Sequence, residues 1–179
     1  PTVFSGGSAV PFSFNTNVII PSMIFPCPYE VSESSKYQKV LGTSAADGES
    51  SITEAFDGGL FVCSSFASGP FGDYDFFVSR LNNYGDTLWT SVYGSSGADN
   101  VKDLVATPDG GLIIVGVSQE LFVNNAFAAK ISANGQLEWM KKYDDAARAC
   151  RIIASNDGNY WIAAEVLLNM GVLKIDPNG

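Results

Sequence analysis

The feature that most restricts this chain is a set of glycine turns that return in register. Asp57-Gly58-Gly59, Asp109-Gly110-Gly111 and Asp157-Gly158-Asn159 are spaced by 52 and 48 residues. A second series keeps step with the first: Leu81-Asn82-Asn83-Tyr84-Gly85, Ile131-Ser132-Ala133-Asn134-Gly135 and Ile175-Asp176-Pro177-Asn178-Gly179. Trp89 and Trp139 each follow their glycine by four residues, and Leu41-Gly42, Tyr93-Gly94 and Tyr143-Asp144 align as well. Self-similarity at a period of roughly 50 residues marks stacked supersecondary units.

Each copy reads as four strands. In the middle copy they are expected at Val101–Thr107, Leu112–Ser118, Ala126–Ser132 and Leu137–Tyr143. Asp109-Gly110 joins the first pair and Asn134-Gly135 the last pair, as hairpin turns in which both residues need positive φ. A longer loop is expected between the second and third strands. The first copy runs parallel, at Ser51–Phe56, Leu60–Ala67, Asp75–Leu81 and Thr87–Tyr93. The third has Ala149–Ser155, Tyr160–Leu167 and Gly171–Ile175 and reaches Gly179 one strand short. Residues 37–41 align with a fourth strand, with Tyr37 in the place of Trp89 and Trp139.

Four antiparallel strands at this period describe a β-propeller blade, so the fold class is all-β. A β-solenoid is the competing architecture. The copies are placed at 37–93, 94–143 and 144–179, the last incomplete. Three blades do not close a ring, so the chain is expected to be part of a larger propeller or to complete one with further copies. Residues 1–36 carry no repeat; Pro11, Pro21, Pro26 and Pro28 interrupt their apolar stretches, which suits an extended segment rather than a central strand.

Composition narrows the chemistry. The net charge of −9 argues against nucleic acid and against anionic membranes. No apolar run is long enough to span a bilayer, and no signal peptide is visible at the N-terminus. The chain has no histidine, which removes Ser-His-Asp catalysis and His-ligated zinc. Cys27, Cys63 and Cys150 are too scattered for a zinc site, and Cys63 and Cys150 fall in predicted strands, as buried apolar thiols would. Carboxylates recur between the fourth and first strands: Asp47, Glu49, Asp99, Asp103, Asp144 and Asp145. Oxygen-rich loops of this kind hold calcium or, more simply, cap turns. No other cofactor is indicated.

With these motifs the chain resembles the SBBP-type β-propeller repeats of secreted bacterial proteins. The resemblance covers residues 37–179 and rests on Lys130-Ile131, Asn134-Gly135, Trp139 and Tyr143, and on Tyr93-Gly94, Asp99 and Asp109-Gly110-Gly111. The third copy departs from the pattern, with Asp144 for the glycine and Asn159 for the last glycine. The resemblance implies a propeller fold and export to the cell surface or beyond, as for type IX secretion cargo. It implies no specific activity.

The expected function is therefore a non-catalytic binding or scaffolding module with a protein or glycan partner. The alternatives are a subunit of a larger surface assembly docked through residues 1–36, and a carbohydrate-active or quinone-dependent propeller enzyme. Trp89, Trp139, Gly58, Gly85, Gly110 and Gly135 read as structural, the tryptophans as anchors largely buried between neighbouring sheets. The connections at Phe66–Tyr74, Ser118–Asn125 and Leu168–Met170 differ most among the copies, and variable loops on a rigid scaffold carry binding. Candidate partner contacts at that end are Phe71, Tyr74, Leu121, Phe122, Asp73, Asp99 and Glu120.

Overall fold

The computed structural model describes residues 38–42 and 47–179. The chain divides into two units, Pro1–Leu41 and Gly42–Gly179. Residues 1–37, with the Pro-rich segment, Cys27 and Tyr37, lie outside the described residues. Residues 38–42 form no strand, so the fourth strand expected there is absent from its described part.

The second unit is all-β. Its strands are β1 (Asp47–Glu54), β2 (Leu60–Ala67), β3 (Tyr74–Leu81), β4 (Thr87–Tyr93), β5 (Ala98–Ala106), β6 (Leu112–Glu120), β7 (Val123–Ile131), β8 (Leu137–Tyr143), β9 (Arg148–Ala154), β10 (Tyr160–Val166) and β11 (Asn169–Ile175). They form three successive antiparallel meanders: β1–β4, β5–β8 and β9–β11. A single parallel bridge, Tyr74↔Ala98, joins the first two meanders into one eight-stranded sheet. The third is a separate three-stranded sheet.

Alternation along β6 explains how the meanders stack. Leu112 and Ile114 enter a core with Phe61, Phe76, Val78 and Phe127, whereas Ile113 and Val115 enter a second core with Ile152, Tyr160, Ile162 and Ala164. Successive side chains of a strand point to opposite faces, so a continuous apolar run fills both. All four β6 side chains are fully buried, and each contributes about 1.5–3 kcal/mol. The outer strands β4 and β8 are instead largely open to solvent.

The first strands of the meanders lie side by side, β1 against β5 and β5 against β9. Asp103 ties them together. Its Oδ1 accepts from Ser51 Oγ at 3.2 Å, and its Oδ2 accepts from the Ile152 amide at 3.0 Å.

The Asp-Gly and Asn-Gly turns form where expected, but with different geometry. Only the glycine takes positive φ, at 80° for Gly58, 86° for Gly85, 84° for Gly110 and 81° for Gly135. In the first, Gly58 N donates to Ala55 O and Ala55 N to Gly59 O, which makes a type I-like turn closed by a left-handed glycine. The aspartate is thereby free for a second task. Asp57, Asp109 and Asp157 each pair with a cation of their meander's third strand: Arg80 at 2.5 Å, Lys130 at 2.8 Å and Lys174 at 2.6 Å. Arg80 and Lys130 are buried, so the pairs join the turn to the sheet at a costly place for a lone charge.

Trp89 and Trp139 are equivalent but half-buried, rather than sandwiched between sheets. Trp89 Nε1 donates to Ala133 O and Trp139 Nε1 to Pro177 O, each at 3.1 Å, in the turn of the following meander. Each ring covers the glycine of that turn: a Cβ at Gly135 or Gly179 would meet the ring at 3.1 or 3.0 Å. Each ring also packs against the margin of a core cluster, Trp89 beside Phe61, so it is partly rather than fully buried. Cys63 is buried and its thiol is pushed up to about 12 by burial, while Cys150 is exposed, contrary to expectation, because β9 turns that side chain outward.

Candidate functional site

Hydrogen bonds place the variable connections of all three meanders at one end. The Tyr74↔Ala98 bridge brings the start of β3 to the start of β5. Ala126 N donates to Ala146 O at 2.7 Å, and Ala147 N to Glu165 O at 2.8 Å, bringing the start of β9 to the same level. The β2–β3, β6–β7 and β10–β11 connections therefore project together.

The β6–β7 connection is not a long loop. Glu120 pairs with Val123, leaving Leu121 and Phe122 as a two-residue turn. Val166 pairs with Asn169 in the same way, leaving Leu167 and Leu168. All four residues have positive φ: 49° and 69° in the first turn, 48° and 65° in the second. This is the type I′ geometry that favours Asn-Gly. A side chain in the left-handed region costs roughly 1–2 kcal/mol. Two bulky apolar residues in succession are therefore strained, and no burial offsets it: Leu121, Phe122, Leu167 and Leu168 are 90%, 98%, 85% and 91% exposed. Met170 beside them is equally open.

The other predicted contacts fall on both sides of the surface. Phe71, Tyr74 and Asp73 are exposed on the β2–β3 connection. Glu120 is exposed but engaged, accepting from Ser96 Oγ at 2.6 Å and Lys142 Nζ at 3.0 Å; these bonds hold its carboxyl below the usual range. With Leu121, Asn125 and Asp144 it edges an open depression of about 290 Å³. Asp99 is fully buried and unable to touch a partner, because its carboxylate turns inward to cap the Ser95 amide.

Leu167, Leu168 and Met170 join this exposed apolar end although they are not among the contacts expected from sequence. The signal was present as two strand-like runs separated by Leu-Leu, the length of a hairpin turn without its residues. At the opposite end, clefts of about 400 and 290 Å³ separate successive meanders beside Trp89 and Pro177, with the exposed Phe56 lining both. Among the described residues no three or more Cys, Asp and Glu side chains group as metal ligands, and no helix is long and apolar enough to cross a membrane.

No family model matches the chain. No curated protein matches it. Among solved structures it is similar to a crystal structure of a protein of unknown function from Bacteroides caccae, at 11% identity and a TM-score of 0.34. The match covers 79% of this chain and 65% of that one.

Proposed function

We propose that this chain supplies blades of an exported, non-catalytic β-propeller of the SBBP type, acting as a binding module for a protein partner. The blade reading is supported by the three meanders with their first strands side by side. It is supported too by fourth-strand tryptophans that reach the next meander's turn. Export rests on the resemblance of the repeat motifs.

One observation carries the binding role. Leu121-Phe122 and Leu167-Leu168 hold apolar side chains in solvent at backbone angles that oppose them. Strain kept where it brings no packing points to use at that place. Tips of this kind suit an apolar protein pocket better than a glycan, whose hydroxyls need fixed polar groups.

The test is site-specific photocross-linking from positions 122 and 168, with positions 83 and 133 of the opposite end as controls. Cross-links to one protein from the first pair alone are expected. That protein, once purified, should lose at least tenfold in affinity for a variant with both turns replaced by Asn-Gly. Cross-links confined to positions 83 and 133, or unchanged affinity for the variant, would overturn the assignment.

A further inference from the structure

Two acids at this same end lack what buried carboxylates require. Asp75, in β3, and Asp99, in β5, are both 0% exposed. Each has one oxygen committed to a loop amide. Asp75 Oδ2 accepts from Phe71 N at 2.8 Å, and Asp99 Oδ2 accepts from Ser95 N. Their other oxygens, Asp75 Oδ1 and Asp99 Oδ1, are buried with no hydrogen-bond partner. So is Ser118 Oγ, on the residue opposite Asp99 in the β5–β6 ladder. The parallel Tyr74↔Ala98 bridge sets Asp75 and Asp99 next to each other and on one side of the sheet.

Like charges so placed need compensation. Burial raises Asp75 above the ordinary carboxylate range, and the neighbouring charge of Asp99 adds to this. Asp103, the third buried acid, differs: Ser51, Ile152 and Arg151 face it. The fold itself does not demand the pair. At the junction of the second and third meanders Asn125 occupies the place of Asp75, bonding Asp144 at 2.7 Å, and Ala146 and Ala147 precede β9.

Glycines shape the surroundings. A Cβ at Gly69 would come within 2.1 Å of Asp75 Oδ2, and one at Gly94 within 2.2 Å of Asp75 Oδ1. At Gly72 it would meet Ser95 O at 2.6 Å and Gly97 O at 2.0 Å, so carbonyl oxygens also crowd this junction.

We propose that Asp75 Oδ1, Asp99 Oδ1 and Ser118 Oγ bind a calcium ion between the first and second meanders. The donors are all hard oxygens, and two carboxylates balance one divalent charge. Calcium accepts carbonyls, hydroxyls and irregular geometry, whereas magnesium demands a strict octahedron and keeps its waters. The ion would hold the 68–73 connection, with Phe71 and Tyr74, against the 94–97 connection. This inference stands apart from the partner-binding role of the Leu121 and Leu167 turns.

The experiment is thermal unfolding of the EGTA-treated 179-residue chain at pH 7 across calcium and magnesium series, with calorimetric titration for stoichiometry. One calcium per chain is expected. The midpoint should rise by about 5–10 °C at a hundredfold excess over Kd, with little response to magnesium. Asp75→Asn with Asp99→Asn keeps the acceptors for Phe71 and Ser95 but removes the charges. That variant should melt in EGTA no lower than the parent and ignore calcium. The single variants serve if the double one does not fold. A parent indifferent to calcium up to about 10 mM, above the weak extracellular range, would overturn the proposal. So would a calcium response that survives both substitutions. Indifference to calcium together with a midpoint that rises from pH 7 to pH 5, lost in Asp75→Asn, would assign the pair a shared proton instead.

Discussion

Replacing Leu121-Phe122 by Asn-Gly asks whether the crest is maintained against stability. The perturbation is clean because 90% of Leu121 and 98% of Phe122 already lie in solvent, so little packing is lost. At φ of 69°, Phe122 sits where a side chain costs roughly 1–2 kcal/mol and glycine costs nothing. Asn tolerates the left-handed region better than Leu, which adds about 0.5 kcal/mol. Glycine's greater freedom in the unfolded chain returns roughly 0.5–1 kcal/mol. The net expectation is a stabilisation of about 1 kcal/mol, within a range of about 0.5–2. With a urea slope of about 1–3 kcal/mol per molar, the midpoint should rise by roughly 0.3–1 M. The same change at Leu167-Leu168 should add to it, since the two turns belong to separate sheets. Equilibrium urea unfolding followed by tryptophan fluorescence, at several protein concentrations, is the assay. A lower midpoint, with the slope and the concentration dependence unchanged, would refute the reasoning. It would mean that these side chains stabilise their own fold.

Trp139→Ala should cost about 2–3 kcal/mol in the same assay, less than a fully buried tryptophan, through loss of the bond to Pro177 O and of the ring over Gly179. Gly135→Ala and Gly158→Ala form a matched pair, with φ of 81° and 80°, but a Cβ meets the Trp89 ring at 3.1 Å in the first and nothing within 4 Å in the second. Gly158→Ala should therefore cost about 1 kcal/mol of backbone strain, and Gly135→Ala measurably more; equal costs would deny the ring contact. Acid titration of stability should report the turn aspartates. Gly59 N and Arg80 depress Asp57; Asp109 is held at about 2, where the bonds from Lys130, Thr107 and Gly111 N outweigh burial; Lys174 depresses Asp157. Depressed carboxyls stabilise the fold above the unfolded value of 3.8, and this is lost as pH falls toward about 2. Screening at the partly exposed Asp109 limits its share to about 1 kcal/mol, so Asp109→Asn should flatten the acid limb by that amount. Thiol labelling of the native chain should modify Cys150 rapidly and Cys63 only on unfolding.

What the sequence determined by itself was local. Asp-Gly and Asn-Gly turns act within five residues, so their recurrence placed Leu60–Ala67, Thr87–Tyr93 and Leu137–Tyr143 to the residue. The unbroken apolar run of β6 likewise announced a strand covered on both faces. Tertiary structure decided what depends on separate meanders meeting. The register of β7 against β6 reduced an eight-residue connection to the two residues Leu121 and Phe122. The Tyr74↔Ala98 bridge and the β5–β6 pairing set Asp99 inward beside Asp75, while Phe122 at the next turn went outward. Folding also brought Lys130 to Asp109 within one meander and Trp89 to Ala133 between two, across 21 and 44 residues of chain. Such contacts depend on which edges and faces lie together after folding. Composition and spacing do not encode that, because a charge or a ring looks the same in sequence whether it faces solvent or a neighbouring sheet.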